Sequence, residues 1–104
     1  MGWNLLQRRR SVTALALAEG WTGRIAAHTS QDVVSLYAVN VAPASTAQGW
    51  VTVAVIPPEL RPPEHAYAAS NRGVRARATS GGALQLESPS ASIDNVTITY
   101  VRGS

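Results

Sequence analysis

Apolar and polar residues alternate along most of this chain with a period of two, the mark of strands that bury one face. Trp50-Val51-Thr52-Val53-Ala54-Val55-Ile56 is one such run, and it stops at Pro57-Pro58. Val74, Ala76 and Ala78 alternate with Arg75, Arg77 and Thr79, and Leu84 and Leu86 alternate with Gln85 and Glu87. Arg75 and Arg77 therefore belong to the face turned away from a core. A three-residue loop, Ser80-Gly81-Gly82, sets Ala78 opposite Leu84 and Ala76 opposite Leu86. The apolar faces then coincide, and Arg75 lies opposite Glu87. A two-residue Gly81-Gly82 turn would set Ala78 against Gln85. Register thus predicts the longer loop, with a glycine in the left-handed conformation.

The same reading predicts strands at residues 12–17, 25–29, 33–41 and 65–70. A last strand holds Ile93, Val96, Ile98 and Tyr100, with a bulge at Asp94-Asn95 where the apolar face shifts. Gly20-Trp21-Thr22-Gly23 reads as a turn, as do Ser30-Gln31-Asp32 and Asn71-Arg72-Gly73; residues 43–48 read as a loop. Four of the six prolines fall within residues 57–63. That stretch suits neither a central strand nor a helix interior, and it predicts a polyproline-like connector running from one sheet to the other. The total is about eight short strands with turns every eight to twelve residues. The fold class expected is all-β, an antiparallel β-sandwich or jelly roll. Residues 1–10 read as an N-terminal arm and residues 11–104 as the sandwich. Alone, the arm is too short to hold a helix.

At 104 residues the chain suffices for one two-layer core. Its hydrophobic fraction is 45%, yet it has no Phe and one Met. A core of such small pieces buries little area per residue, so oligomerisation is expected to supply part of the stability. Cysteine is absent, which excludes disulfides, cysteine-based zinc sites and thiol nucleophiles. No apolar run reaches the length of a membrane span. All nine basic residues are Arg, and the formal net charge is +3. Removing Arg8, Arg9 and Arg10 leaves six Arg against six acids, so the whole excess lies in the arm.

No catalytic pattern stands out. His28 and His65 have no partner at metal-ligand spacing, and no serine sits in a nucleophile motif. His28, Asp32 and a serine can be combined on paper into a triad, as in almost any chain of this size. The acids are scattered singly, and no phosphate loop occurs. No enzyme, metal or cofactor is expected. The Arg8-Arg9-Arg10 run has three readings: phosphate binding, docking on an acidic protein surface, or a solvated tail. A neutral body disfavours nucleic acid. Trp3, Leu5 and Leu6 beside the arginines have the composition of an interface anchor, which favours docking. Trp21 and Tyr67 are candidates for stacking on sugar rings, with core packing as the bland alternative.

Trp50-Val51-Thr52-Val53-Ala54-Val55-Ile56-Pro57, followed by Leu60-Arg61-Pro62, resembles a signature of phage tail-fibre and baseplate head domains: a strand opening with Trp, then Leu-Pro, a short loop and Arg-Pro. Ile56 stands where Leu is usual and Glu59 where Gly is common. Trp50, Pro57, Arg61 and Pro62 carry the likeness, which extends over about residues 11–101. It implies a trimerising β-sandwich on the virion surface, structural or adhesive, without catalytic residues. Such heads normally end a long fibre. A chain that begins at Met1 with only an arm suggests instead a decoration protein attached to capsid or tail through Trp3, Leu5, Leu6, Arg8, Arg9 and Arg10. A glycan-binding fibre or baseplate head is the alternative. Expected partners are further copies of the chain, other virion proteins and, in the alternative, a host surface glycan; no membrane partner is expected.

Overall fold

The computed structural model describes residues 10–90 and 92–102. They form eight strands in two antiparallel four-stranded sheets packed face to face. The strands are β1 (Arg10–Leu15), β2 (Trp21–Ser30), β3 (Val33–Pro43), β4 (Trp50–Val55), β5 (Ala66–Ala69), β6 (Arg75–Ala78), β7 (Ala83–Glu87) and β8 (Asp94–Val101). The first sheet runs β1-β2-β3-β8 and the second β4-β7-β6-β5. The all-β sandwich expected from the alternation is the fold. The only helical element among the described residues is one 3-10 turn, Pro58–Leu60, so no helix is long and apolar enough to cross a membrane.

Alternation sets the core. Ile25, Ala27, Val34, Leu36, Ala38, Val96 and Ile98 from the first sheet meet Ala54, Ile56, Ala76, Ala78, Leu84 and Leu86 from the second. The β6–β7 hairpin has the expected register, Ala76 opposite Leu86 and Ala78 opposite Leu84. Gly82 takes the positive φ of its loop. Its lack of a side chain also admits Arg61, whose guanidinium occupies the space a Cβ would need. Arg61 Nε donates to the Ile56 carbonyl at 2.9 Å, and the Ile56 N–H donates to the Gly82 carbonyl at 2.7 Å. Arg61 of the Arg-Pro motif is thus a structural clamp, while Pro62 is buried and Pro57 half-buried beside it.

Several expectations require correction. The proline-rich connector does not run between sheets: β4 and β5 are the two edges of the same sheet, and the chain passes over its end. Part of it coils into the 3-10 turn, because Leu60 must turn inward to be buried. Gly20-Trp21-Thr22-Gly23 is not a turn. Glu19-Gly20 turns, and Trp21 already opens β2. Gly23 serves close packing instead, since a Cβ there would strike the Asn40 backbone. The bulge near Asp94 lies on the neighbouring strand. The register shifts between Ala38 and Val41 of β3, where Asn40 has a φ of 54° and donates its N–H to Asn95 Oδ1 at 2.9 Å. β8 keeps strict alternation, because Asp94 rather than Ile93 points inward.

Asp94 is fully buried and joins the two sheets. Ser70, at the end of β5, donates to Asp94 Oδ1 at 2.8 Å and accepts the N–H groups of Arg72 and Val74, each at 3.1 Å. Arg72 lies 3.8 Å from Oδ2, which has no hydrogen bond of its own to a described residue. A second tie is Tyr100 of β8, whose hydroxyl donates to the Leu60 carbonyl. Burial pushes the Tyr100 phenol up to about 12. At the opposite side, Leu17 bridges to Ala54 and closes the corner between β1 and β4.

Candidate ligand-binding face

The outer face of the second sheet gathers most of its aromatic and charged side chains. Leu84 and Leu86 of β7 point inward, so Gln85 and Glu87 point out. Register places Trp50 opposite Glu87 and Thr52 opposite Gln85 across β4. Arg77 lies opposite Gln85 on β6, and Tyr67 of β5 lies opposite Arg77. One row across the sheet therefore reads Thr52, Gln85, Arg77, Tyr67.

That row is tied together. Arg77 Nε donates to Gln85 Oε1 at 2.7 Å, and Gln85 Nε2 donates to Thr52 Oγ1 at 3.2 Å. The Arg77 guanidinium lies over the Trp50 ring, 4.1 Å from its centre, with that of Arg75 at 5.6 Å. Arg75 pairs with Glu87 at 3.4 Å, as the hairpin register led one to expect. Trp50 meets Tyr67 at 6.3 Å between ring centres, and His65 lies 6.4 Å from Tyr67 on its other side. His65 Nδ1 accepts the Ser80 N–H at 3.3 Å, which leaves Nε2 as the nitrogen carrying the proton in the neutral ring. Tyr67 is 57% exposed, so an aromatic surface stands open beside a row of fixed polar groups.

Two concavities of more than 600 Å³ lie elsewhere among the described residues. The larger, about 640 Å³, is on the outer face of the first sheet and is lined by Ala14, Leu17, Ala26, Tyr37 and Val39, with Arg24 and His28 among them. His28 packs edge-on against Tyr37 at 4.8 Å. Apolar walls with so few polar groups give a ligand little to orient it, and a contact surface suits them better. The other, about 620 Å³, is a polar groove where the first sheet overhangs the second, lined by Ser11, Thr13, Gln31, Asp32, Glu59 and Arg102 among others. Arg102 is already engaged there by the carbonyls of Glu59 and Gln31.

The structure separates the two residues singled out for sugar stacking. Tyr67 lies on the outer face just described. Trp21 is in the other sheet, half-buried against the core, because the irregularity at Gly23 turns it inward. Trp50, read from the sequence as part of a structural motif, and Arg77 complete the face with Tyr67. The signal for Trp50 was present: it shares parity with Thr52, the polar side of its strand, and not with Val51 and Val53. Of the docking residues, Trp3, Leu5, Leu6, Arg8 and Arg9 lie outside the described residues. Arg10 belongs to β1, paired with Ser30, so the strand begins one residue before the expected arm boundary. Among the described residues no group of three or more His, Cys, Asp or Glu comes together. No family model, curated protein or solved structure matches the chain.

Proposed function

We propose that this chain is a non-enzymatic recognition domain that binds a saccharide on the outer face of its second sheet. The observation that carries this reading is the exposed Tyr67 ring, flanked by Trp50 and set against the hydrogen-bonded row Arg77, Gln85 and Thr52. A pyranose offers an apolar face for an aromatic ring and a rim of hydroxyls for fixed donors and acceptors. Side chains held by one another before the ligand arrives lose little entropy on binding. Among the described residues the carboxylate on this face is Glu87, and Arg75 engages it. That inventory serves to hold a ligand rather than to transfer protons. Of the two virion settings that the Trp50–Pro62 resemblance implies, this face favours a receptor-binding head over a decoration protein, whose case rests on the arm.

Self-association belongs to the same proposal. Among the described residues, five of the eight large exposed hydrophobic side chains, Val12, Val33, Tyr37, Val39 and Val101, lie on the outer face of the first sheet. Three copies packing these faces about a common axis form a homotrimer that leaves three saccharide faces outermost. The test is a nitrogen-15 spectrum of the labelled protein titrated with oligosaccharides. Shifts confined to Trp50, Tyr67, Arg77 and Gln85, lost in Tyr67→Ala, are the expected result. Shifts clustered at Ala14, Ala26 and Val39 instead would move the site to the first sheet.

A further inference from the structure

Arg77 is half-buried, and its guanidinium is fixed twice over, above the Trp50 ring and through Nε to Gln85. Neither constraint uses Nη1 or Nη2. No hydrogen bond to a described residue involves these two nitrogens, and the ion pairs among the described residues are those of Arg72 and Arg75. Among the described residues the face holds two guanidiniums, Arg75 and Arg77, against one carboxylate, Glu87, which leaves one positive charge at Arg77. A guanidinium oriented by a ring and a neutral amide, with its paired N–H groups unspent, is a fork for a planar anion. Its position adds the second element. Arg77 lies directly opposite Tyr67 on the neighbouring strand, and cross-strand partners stand about 5 Å apart. That is about the width of a pyranose ring, so a sugar resting on Tyr67 presents a ring substituent to the Arg77 fork.

From this juxtaposition we infer that the saccharide is acidic, a sugar whose carboxylate is held by Arg77 while its ring lies on Tyr67. The inference rests on the saccharide reading of this face and adds the charge to it. Arg75 plays a different part. Glu87 neutralises it, and it keeps a second cation from competing for the same carboxylate.

The test begins with the whole chain on an array of acidic and neutral oligosaccharides. It continues by calorimetry with one matched pair, a galacturonic acid trimer and its methyl ester. Uronate- or sialate-bearing glycans are the ones expected to be retained. The ester should bind at least about tenfold more weakly than the acid, the loss of one bidentate ionic contact. Arg77→Gln should bring the acid down to the level of the ester with an unchanged melting temperature. Arg77→Lys, which keeps the charge without the fork, should fall between. Salt should weaken binding of the acid and leave the ester unaffected. Equal affinity for acid and ester, both lost in Tyr67→Ala, would overturn the inference and leave the saccharide reading standing. Retention of polyglutamate as strongly as any glycan would remove the saccharide and keep the anion. Retention of no glycan at all would overturn both.

Discussion

The two outer faces of this sandwich rest on the same strand alternation and carry opposite chemistry. The first sheet turns out Val12, Ala14, Ala26, His28, Val33, Ser35, Tyr37, Val39, Thr97, Thr99 and Val101, and Arg24 is the full charge among the side chains described there. The second turns out Trp50, Thr52, Tyr67, Arg75, Arg77, Gln85 and Glu87, joined by hydrogen bonds, an ion pair and stacking. Covering the first face removes apolar area from water and strands almost no charge, so a permanent protein contact suits it. Covering the second desolvates two guanidiniums and a carboxylate, which is worthwhile only for a ligand that replaces their water group by group. On the proposed reading, that difference gives assembly to one sheet and recognition to the other.

The sharpest way to break this division is Ala26→Glu, which places a charge between Ala14 and Tyr37 on the apolar face. If that face is the subunit contact, the trimer should dissociate, with a loss of several kcal/mol of association energy, and light scattering should report the monomer mass. The melting temperature of the monomer itself should change little. A wild-type protein that is already monomeric at micromolar concentration would end the assignment.

Next in size are the ties that hold the sheets back to back. Ser70→Ala removes the one hydrogen bond to the buried Asp94 carboxylate and should cost about 3 kcal/mol in chemical denaturation. Asp94→Asn should cost less, because an amide keeps the contact with Ser70 without a buried charge. A loss below about 1 kcal/mol for Ser70→Ala would mean that water replaces the hydroxyl.

Tyr100 makes the seam pH-sensitive at the alkaline end. Its phenol is raised from the ordinary 10 to about 12 by burial. Between those values the unfolded chain has lost the proton and the folded chain keeps it. Stability should therefore hold below pH 10 and fall through about pH 12, by about 2 kcal/mol across the window. Tyr100→Phe should abolish that slope and, at neutral pH, cost about 1 kcal/mol for the lost bond to Leu60. Denaturation at several pH values checks both.

The smallest effect concerns the second face. Arg75 and Glu87 are both substantially exposed, so Arg75→Ala should change stability by less than about 1 kcal/mol. Saccharide affinity should change little too, since Arg77 carries the unmatched charge. A large loss in either measurement would mean that this face also is covered by another subunit.

The sequence by itself determined whatever depends on neighbours in the chain. Period-two alternation marked the strands, and the β6–β7 hairpin fixed its own register, because only one loop length aligns Ala76 and Ala78 with Leu86 and Leu84. The outward direction of Arg75 and Arg77 and the pairing with Glu87 followed from that register. Tertiary structure decided which strands share a sheet, and no local pattern could reveal that β4 and β5 are opposite edges of one sheet. It also decided that Asp94, not Ile93, faces the interior, because the partner that makes a buried carboxylate tolerable, Ser70, lies 24 residues away. The candidate site divides in the same way. The outward parity of Trp50, Tyr67 and Arg77 was legible residue by residue. Their meeting was not, since it depends on the strand order β4-β7-β6-β5, set by long-range pairing through the common core.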